Sequence, residues 1–579
     1  MTSAPRALLA VDAGLATTTV SLLGRPGGRW RLLGSLSVPA PADPDAVATV
    51  LAGRVAAADR GLADRLDLQP GDAPELPRLT SRTPPGQPLV VIAASRRAVS
   101  LLQDVATRTP WHVHAASPET HDPREMTELA LRPGVDTLLL GCSDPPGPDE
   151  RGALDDVAAL VGAVARRRPE LRIVLAGPIA QLRAWREALG SAAEPPPPDA
   201  PYADASRSGE PTGEAPDASA ATGAAEGAEV ADAARIVHAP PIRLRDGPDE
   251  PLREILEGLL PRADVTRHVA VQSAISLADL LDLRLELVDI GLDGGLRVMA
   301  SPGVADGGPA GVAVRTAAGG LAPMEIDDRA VESVLAWTTG SLDRHRMGDR
   351  LLDLRARPWA DATGEGARRR LAAARAALAR LAAVTTDLGA LPTPDLTILA
   401  GGAFAAAPPR AVALALADTI RRTGATQVAL DHARLLGPLG TIEDPDERRS
   451  ILRDLADDLL APIGTVVVVA GAPAGRRANQ RVGTLTFVDD GPTPAIDLHG
   501  GEVAFYEMAP GARATATLEF RDAVRFGRRA RRVTVPVSGG VGGLAVDLRD
   551  VPLRLPERRD RRRAALVHWD QLAWPGTDR

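Results

Sequence analysis

A chain of 579 residues is too long for one ordinary hydrophobic core, and roughly three or four domains are expected. All 67 basic residues are arginine, so a Schiff-base lysine and a Gly-rich phosphate loop ending in Gly-Lys-Ser/Thr are both excluded. The net charge of −8 resides in residues 192–234, which hold nine acids and one arginine; the remaining 66 acids balance 66 arginines, which argues against general nucleic-acid binding.

The first element, Ala7–Leu23, is an apolar run that ends in Asp12, turns at Gly14, crosses Thr17, Thr18 and Thr19, and resumes at Val20. This pattern predicts a buried strand, a glycine-assisted turn and a second strand. Glycine has no Cβ to hold a bound group away from the backbone. A carboxylate at Asp12, the hydroxyls of the threonines and the Gly14 turn together suit a phosphate and its metal ion, although an ordinary hairpin gives the same pattern. Trp30–Val38 reads as a third strand, and residues 41–68 have helical spacing.

Next come a short strand at Pro88–Ala94, a helix at residues 99–108 and a strand at Trp111–Ala115. His112 and His114 would share one face of that strand, with His121 nearby. Three imidazoles can bind zinc, but polar exposure on an edge strand accounts for the same residues. Val135–Leu140, Leu154–Arg168 and Leu171–Ala176 form a strand–helix–strand series, which predicts a parallel pair with a right-handed crossover and an α/β core. The only cysteine, Cys142, follows the first of these strands. It reads as a small buried hydrophobe, excludes an internal disulfide and fits a reducing, cytoplasmic setting.

Residues 191–234 carry four consecutive prolines and little apolar surface, so an acidic, disordered insertion is expected there. Helices at residues 252–260 and 275–283 lead into Leu285–Met299, where Val288-Asp289-Ile290-Gly291-Leu292 repeats Val11-Asp12-Ala13-Gly14-Leu15 after 277 positions. Two such hairpins suggest two related halves that face one cleft. The helix at residues 367–383 has Leu371, Leu378 and Leu381 as its apolar stripe, and its arginines read as a solvated face. Leu396–Ala400 runs as a buried strand into Gly401-Gly402 and a helix at residues 411–422; such a unit lets a backbone lie against a nucleobase or ribose. From Pro462, short β-type segments separated by Gly and Pro turns predict a small sandwich or barrel, bordered by arginine clusters at residues 525–532 and 558–563. No run of 18 apolar residues suggests a membrane span, and no signal peptide is evident.

Two Asp-x-Gly hairpins followed by a strand–Gly-Gly–helix resemble the actin, Hsp70 and sugar-kinase ATPase superfamily. Within it the chain resembles the MutL-type accessory protein of adenosylcobalamin-dependent glutamate mutase, from about Leu8 to Leu460, including Val135–Asp144, Leu171–Pro178, Gly311–Leu321 and Leu396–Phe404. The resemblance implies an α/β, two-lobed actin-like ATPase fold with duplicated RNase H-like halves: a first lobe over residues 1–282, a second over 283–460 and a β-rich C-terminal domain over 461–579. It further implies ATP or ADP with Mg, held by Asp12, Gly14, Thr17, Thr18, Asp289, Gly291, Gly294, Gly295, Gly401 and Gly402. Asp12 and Asp289 would serve the metal, and a cobalamin-dependent mutase would be the protein partner.

The family's Asp-x-Gly-Ser-Thr-x-Thr-Lys reads Leu15 and Ala16 at the Ser and Thr positions and Thr19 at the Lys position. Its second hairpin, Asp-x-Gly-Gly-Ala-Thr-Thr-Asp, keeps only Asp289 and Gly291. Its Arg-Thr-x-Glu-Gly-Asp-Leu has lost both acids, at Ala318 and Gly320. Hydroxyls and carboxylates are what metal binding and hydrolysis need, so nucleotide binding is expected over efficient turnover. A small-molecule kinase of the same superfamily and a non-catalytic scaffold are the alternatives.

Overall fold

Among the described residues, four β-sheets and the helices around them make up the mixed α/β architecture of the computed structural model. The structure describes residues 6–83, 86–107, 109, 111–143, 146–178, 181–183, 185, 235–239, 250–260, 266–303, 311–359, 361–384, 392–471, 480–488 and 494–574. The acidic stretch 191–234 lies outside them. Two compact units divide the chain: Met1–Gly86 with Pro261–Arg579, and Gln87–Leu260.

In the larger unit, β1 (Ala7–Ala13), β2 (Thr17–Gly24), β3 (Arg31–Pro39) and β4 (Arg78–Arg82) form a sheet of order β3-β2-β1-β4. β1 is antiparallel to β2 and parallel to β4. In the smaller unit, β5 (Pro88–Ala93), β6 (His112–Ala116), β7 (Thr137–Gly141), β8 (Arg172–Ala176) and β9 (Arg235–Ala239) form a wholly parallel sheet, β6-β5-β7-β8-β9. The expected parallel pair is β7 and β8. Cys142 is buried in this unit's core. β6 is an edge strand, but His112 is buried rather than exposed. Among the described residues no cluster of three metal-ligating side chains forms.

The chain then returns to the larger unit through the helix Thr266–Leu281. β10 (Leu285–Ile290), β11 (Gly294–Ala300), β12 (Val312–Ala318) and β13 (Leu396–Ala400) run in the order β12-β11-β10-β13. β10 is antiparallel to β11 and parallel to β13, so the order and directions match those of β3-β2-β1-β4. Leu8, Ala10 and Leu23 of the first sheet share one core with Leu285, Leu287 and Ile398 of the second, with the helix Thr266–Leu281 contributing Ala270, Ala274 and Leu277.

The C-terminal strands differ from a free-standing sandwich. β14 (Gly424–Leu430), β15 (Ala461–Val468), β18 (Val503–Tyr506) and β21 (Gly543–Asp547) extend the β10 sheet to eight strands. Only β16 (Arg481–Val488), β17 (Ile496–His499), β19 (Arg513–Phe526) and β20 (Arg528–Ser538) form a sheet of their own, packed on the first group through Val467, Leu485, Leu518 and Val546. Residues from Pro462 onward alternate well enough to read as strands, but alternation does not say which sheet a strand joins.

The helix Gly364–Val384 also departs from its expected solvated face. Arg370 and Arg375 are buried, Arg375 at 2% exposure. Alanines lie on every side of this helix, so neighbours approach all round it, and a helix apolar all round is a buried one. Arg375 then needs charge partners, which Asp418 at 2.9 Å and Asp570 at 3.1 Å provide.

Candidate functional site: a cleft between two Asp-x-Gly hairpins

Both repeated motifs close in the same way. The Gly14 N–H donates to the Thr17 carbonyl at 2.8 Å, and the Gly291 N–H donates to the Gly294 carbonyl at 2.9 Å. Asp12 sits opposite Thr19 on β2 and Ser81 on β4; Asp289 sits opposite Leu296 on β11 and Ala400 on β13. Each aspartate is thus the last-turn carboxylate of a central strand, flanked by an antiparallel and a parallel neighbour.

The hairpin ends open into one cleft of about 880 Å³ of atom-free space, part of it open to solvent. Asp12, Gly14, Thr17, Asp289, Gly291, Gly294, Gly295, Gly401 and Gly402 all line it. Thr18 does not. Side chains alternate along a strand, so Thr18 faces away from the side that Thr17 and Ser21 present to the 431–437 segment, where Thr17 Oγ1 meets Arg434 and Ser21 Oγ donates to the Ala433 carbonyl at 3.0 Å. Thr19, at the family's Lys position, is paired with Ser37 at 2.8 Å.

Gly401 explains the strand–Gly-Gly turn. Its φ is +85°, and a Cβ there would overlap the Ile290 carbonyl oxygen and Asp289 Oδ1. Only glycine permits β13 to turn so close behind the second hairpin. The loop after β12 packs on the same hairpin: the Leu321 N–H donates to the Gly291 carbonyl at 3.0 Å, and Arg380 Nε donates to the Gly319 carbonyl at 3.0 Å.

Four aspartates and two arginines give the cleft its charge. Asp12 is buried; its Oδ1 accepts from Ser81 Oγ at 3.0 Å, and its Oδ2 lies 3.5 Å from Arg434 Nη1. Burial pushes its pKa up, against the pull of Arg434 and Ser81. Asp431, at the end of β14, accepts from the Leu435 N–H at 2.9 Å and the Leu436 N–H at 3.1 Å. Burial pushes its pKa up to about 7, against those two bonds. Asp293 is paired with Arg355 and accepts from the Gly86 N–H at 3.2 Å.

Arg434 was not foreseen from the sequence, and it is the most informative residue of the cleft. It has φ +52°, donates to Thr17 Oγ1 at 2.7 Å and faces Asp12. Arg370 approaches from the helix Gly364–Val384 and donates to the Gly402 carbonyl at 2.9 Å. A signal for the first existed: Val428-Ala429-Leu430-Asp431 is a third apolar run ending in aspartate, like those ending at Asp12 and Asp289.

A divalent cation does not fit beside Asp12 in this arrangement. Mg²⁺ needs oxygen ligands at octahedral spacing, but the Arg434 guanidinium stands between Asp12 Oδ2 and Thr17 Oγ1, the two oxygens that would face the ion together. Among the described residues no group of three His, Cys, Asp or Glu side chains gathers there. The backbone cradle does suit a phosphate-bearing ligand: Gly14, Gly291, Gly401 and Gly402 line the cleft with main chain alone, so no side chain of theirs holds a ligand away.

No family model matches the chain. No curated protein matches it either. Among solved structures the chain is similar to a nucleotide-free acetone carboxylase from work on ATP-dependent acetone carboxylation (9% identity, 85% of this chain and 81% of that one, TM-score 0.25). It is also similar to a ROK family glucokinase from Streptomyces griseus in complex with glucose and AMPPNP (11% identity, 75% and 97%, TM-score 0.23). A third likeness is to a PilM–PilN type IV pilus biogenesis complex (14% identity, 78% and 97%, TM-score 0.21).

Proposed function

We propose that the chain is a nucleotide-binding accessory protein of the actin-like ATPase type, with ATP or ADP held between the two hairpins and with little or no turnover. In this reading residues 1–282 and 283–460 are the two duplicated lobes, and residues 461–579 are a C-terminal addition. Nucleotide binding biases lobe closure, and closure alters a surface that a protein partner reads. The resemblance names that partner class as an adenosylcobalamin-dependent mutase.

One observation carries the proposal: two hairpins that share Val-Asp-x-Gly-Leu, register and closing hydrogen bond open into one cleft, with a glycine turn that tolerates no side chain beside them. Low turnover follows from the cleft's chemistry. Leu15 and Ala16 offer no hydroxyl, while Asp12, Asp293 and Asp431 each have both oxygens engaged. A small-molecule kinase is an equally compatible second reading; it needs a carboxylate to take the acceptor's proton, a role that would fall to Asp289 or to Asp431, whose pKa burial pushes up to about 7.

A ligand that binds only the folded state stabilises it by about 2.7 kcal/mol at a hundredfold excess over Kd. A thermal melt with ADP or ATP should therefore move upward, with phosphate release no faster than the uncatalysed background. No shift with any nucleotide supports the scaffold reading; rapid release contradicts the claim of low turnover.

A further inference from the structure

We infer that the cleft neutralises phosphate with two tethered guanidinium groups, Arg434 and Arg370, and holds its nucleotide without a divalent cation. The inference rests on the nucleotide reading of this cleft and deepens it. The place beside Asp12 and Thr17 that a cation would take is already held by Arg434, at 3.5 Å from Asp12 Oδ2 and 2.7 Å from Thr17 Oγ1.

The second arginine converges on the same point. From the position a Gly402 Cβ would occupy, Arg434 Nη2 lies at 2.6 Å and Arg370 Nη2 at 3.7 Å. Two like charges held this close repel unless an anion lies between or beside them. Arg370 is 6% exposed, and its Nε is buried without a hydrogen-bond partner. A buried donor left unsatisfied is costly, so its retention beside a second guanidinium calls for an account. Arginine's planar fork matches phosphate oxygens in pairs, and its charge does not depend on pH in the physiological range.

The cleft's carboxylates do not cancel this pair. Asp293 is paired with Arg355, Asp431 caps the Leu435 and Leu436 N–H groups, and Asp289 packs against the Gly401 turn. Asp12 is ion-paired with Arg434 at 3.5 Å and Asp431 feels the same charge without bonding to it, so a phosphate would compete chiefly with Asp12 for that guanidinium. The backbone of Arg434 adds a further sign. It is one of three non-glycine residues among those described with positive φ, a conformation that costs energy and gathers at ligand clamps. The Asp431 cap on the next two residues holds the turn that presents it.

The test is calorimetric titration of the full-length chain with ADP, once in EDTA and once in excess magnesium chloride. The expected result is the same affinity in both within about twofold, weakened tenfold or more in both by Arg434→Gln and partly restored by Arg434→Lys. Asp12→Asn should tighten the EDTA affinity, because it removes the carboxylate that competes for Arg434, and no tightening counts against the inference; this variant keeps the test open should Arg434→Gln fail to fold. Binding that appears only with magnesium, or that Arg434→Gln leaves intact, overturns the inference while the nucleotide reading stands. If ADP binds in neither condition the nucleotide reading fails, and pyrophosphate in EDTA decides the rest. Binding lost in Arg434→Gln upholds the arginine pair as an anion site, and no binding overturns it.

Discussion

Replacing Gly401 by alanine isolates the contact that fixes the back of the cleft. Gly401 has φ +85°, and the added Cβ would overlap both the Ile290 carbonyl oxygen and Asp289 Oδ1. A carboxylate can swing aside, but a strand carbonyl cannot. The left-handed backbone alone costs an L-residue about 1–2 kcal/mol. Overpacking adds about 1–3 kcal/mol, for a total of about 2–5 kcal/mol. Gly27 supplies the control: its φ is +70°, yet a Cβ there meets nothing within 4 Å. Gly27→Ala should therefore cost only the backbone share. Amide hydrogen exchange reads the two locally, with each 1.4 kcal/mol of lost stability speeding exchange about tenfold. Amides of β10 and β13 should exchange at least tenfold faster in Gly401→Ala than in wild type, with no such change there in Gly27→Ala. Equal, small effects of the two substitutions would refute the argument that close approach requires this glycine.

Three further outcomes follow from named contacts. Gly402→Ala meets only the far ends of the Arg434 and Arg370 side chains, so the protein should stay folded while nucleotide affinity falls, as a paired melt and titration would show. Asp547, between Arg421 and Arg549, joins a buried ion cluster with Asp418, Arg375 and Asp570, and Arg549 also lies 4.4 Å over the Trp569 ring. Asp547→Asn should cost about 3–5 kcal/mol by chemical unfolding, because it leaves buried guanidinium charge uncompensated. Burial alone would raise the Asp547 pKa, but the two arginines hold it at about 2, below its ordinary 3.8. Its contribution, about 2 kcal/mol, is complete above about pH 4 and lost as the pH falls toward 2. An acid unfolding series should show that loss in wild type and lack it in Asp547→Asn.

The strands that build the cleft were legible because each is a short apolar run punctuated by aspartate and glycine. Val11-Asp12-Ala13-Gly14-Leu15 and its repeat at Val288 announced two hairpins, and the structure opens both into one cleft. Arg370, Arg375 and Arg434 were not legible, for one shared reason. Arginine in sequence reads as surface, and its burial depends on charge partners far along the chain: Asp570 lies 195 residues from Arg375, and Thr17 lies 417 from Arg434. Thr18 was grouped with Thr17 on hydroxyl content, but strand alternation puts the two on opposite faces. The eight-stranded sheet was hidden because β15, β18 and β21 look like any other short strands, and only tertiary pairing assigns them to β14 rather than to β16.

The central claim, a nucleotide held between the two hairpins, is tested most directly by hydrogen exchange of the full-length chain with and without saturating ADP. The account predicts slower exchange in three separated stretches together, residues 13–17, 291–295 and 401–404, with the smaller unit unchanged. Protection confined to other segments, or none at a concentration of ADP that saturates the titration, would contradict it.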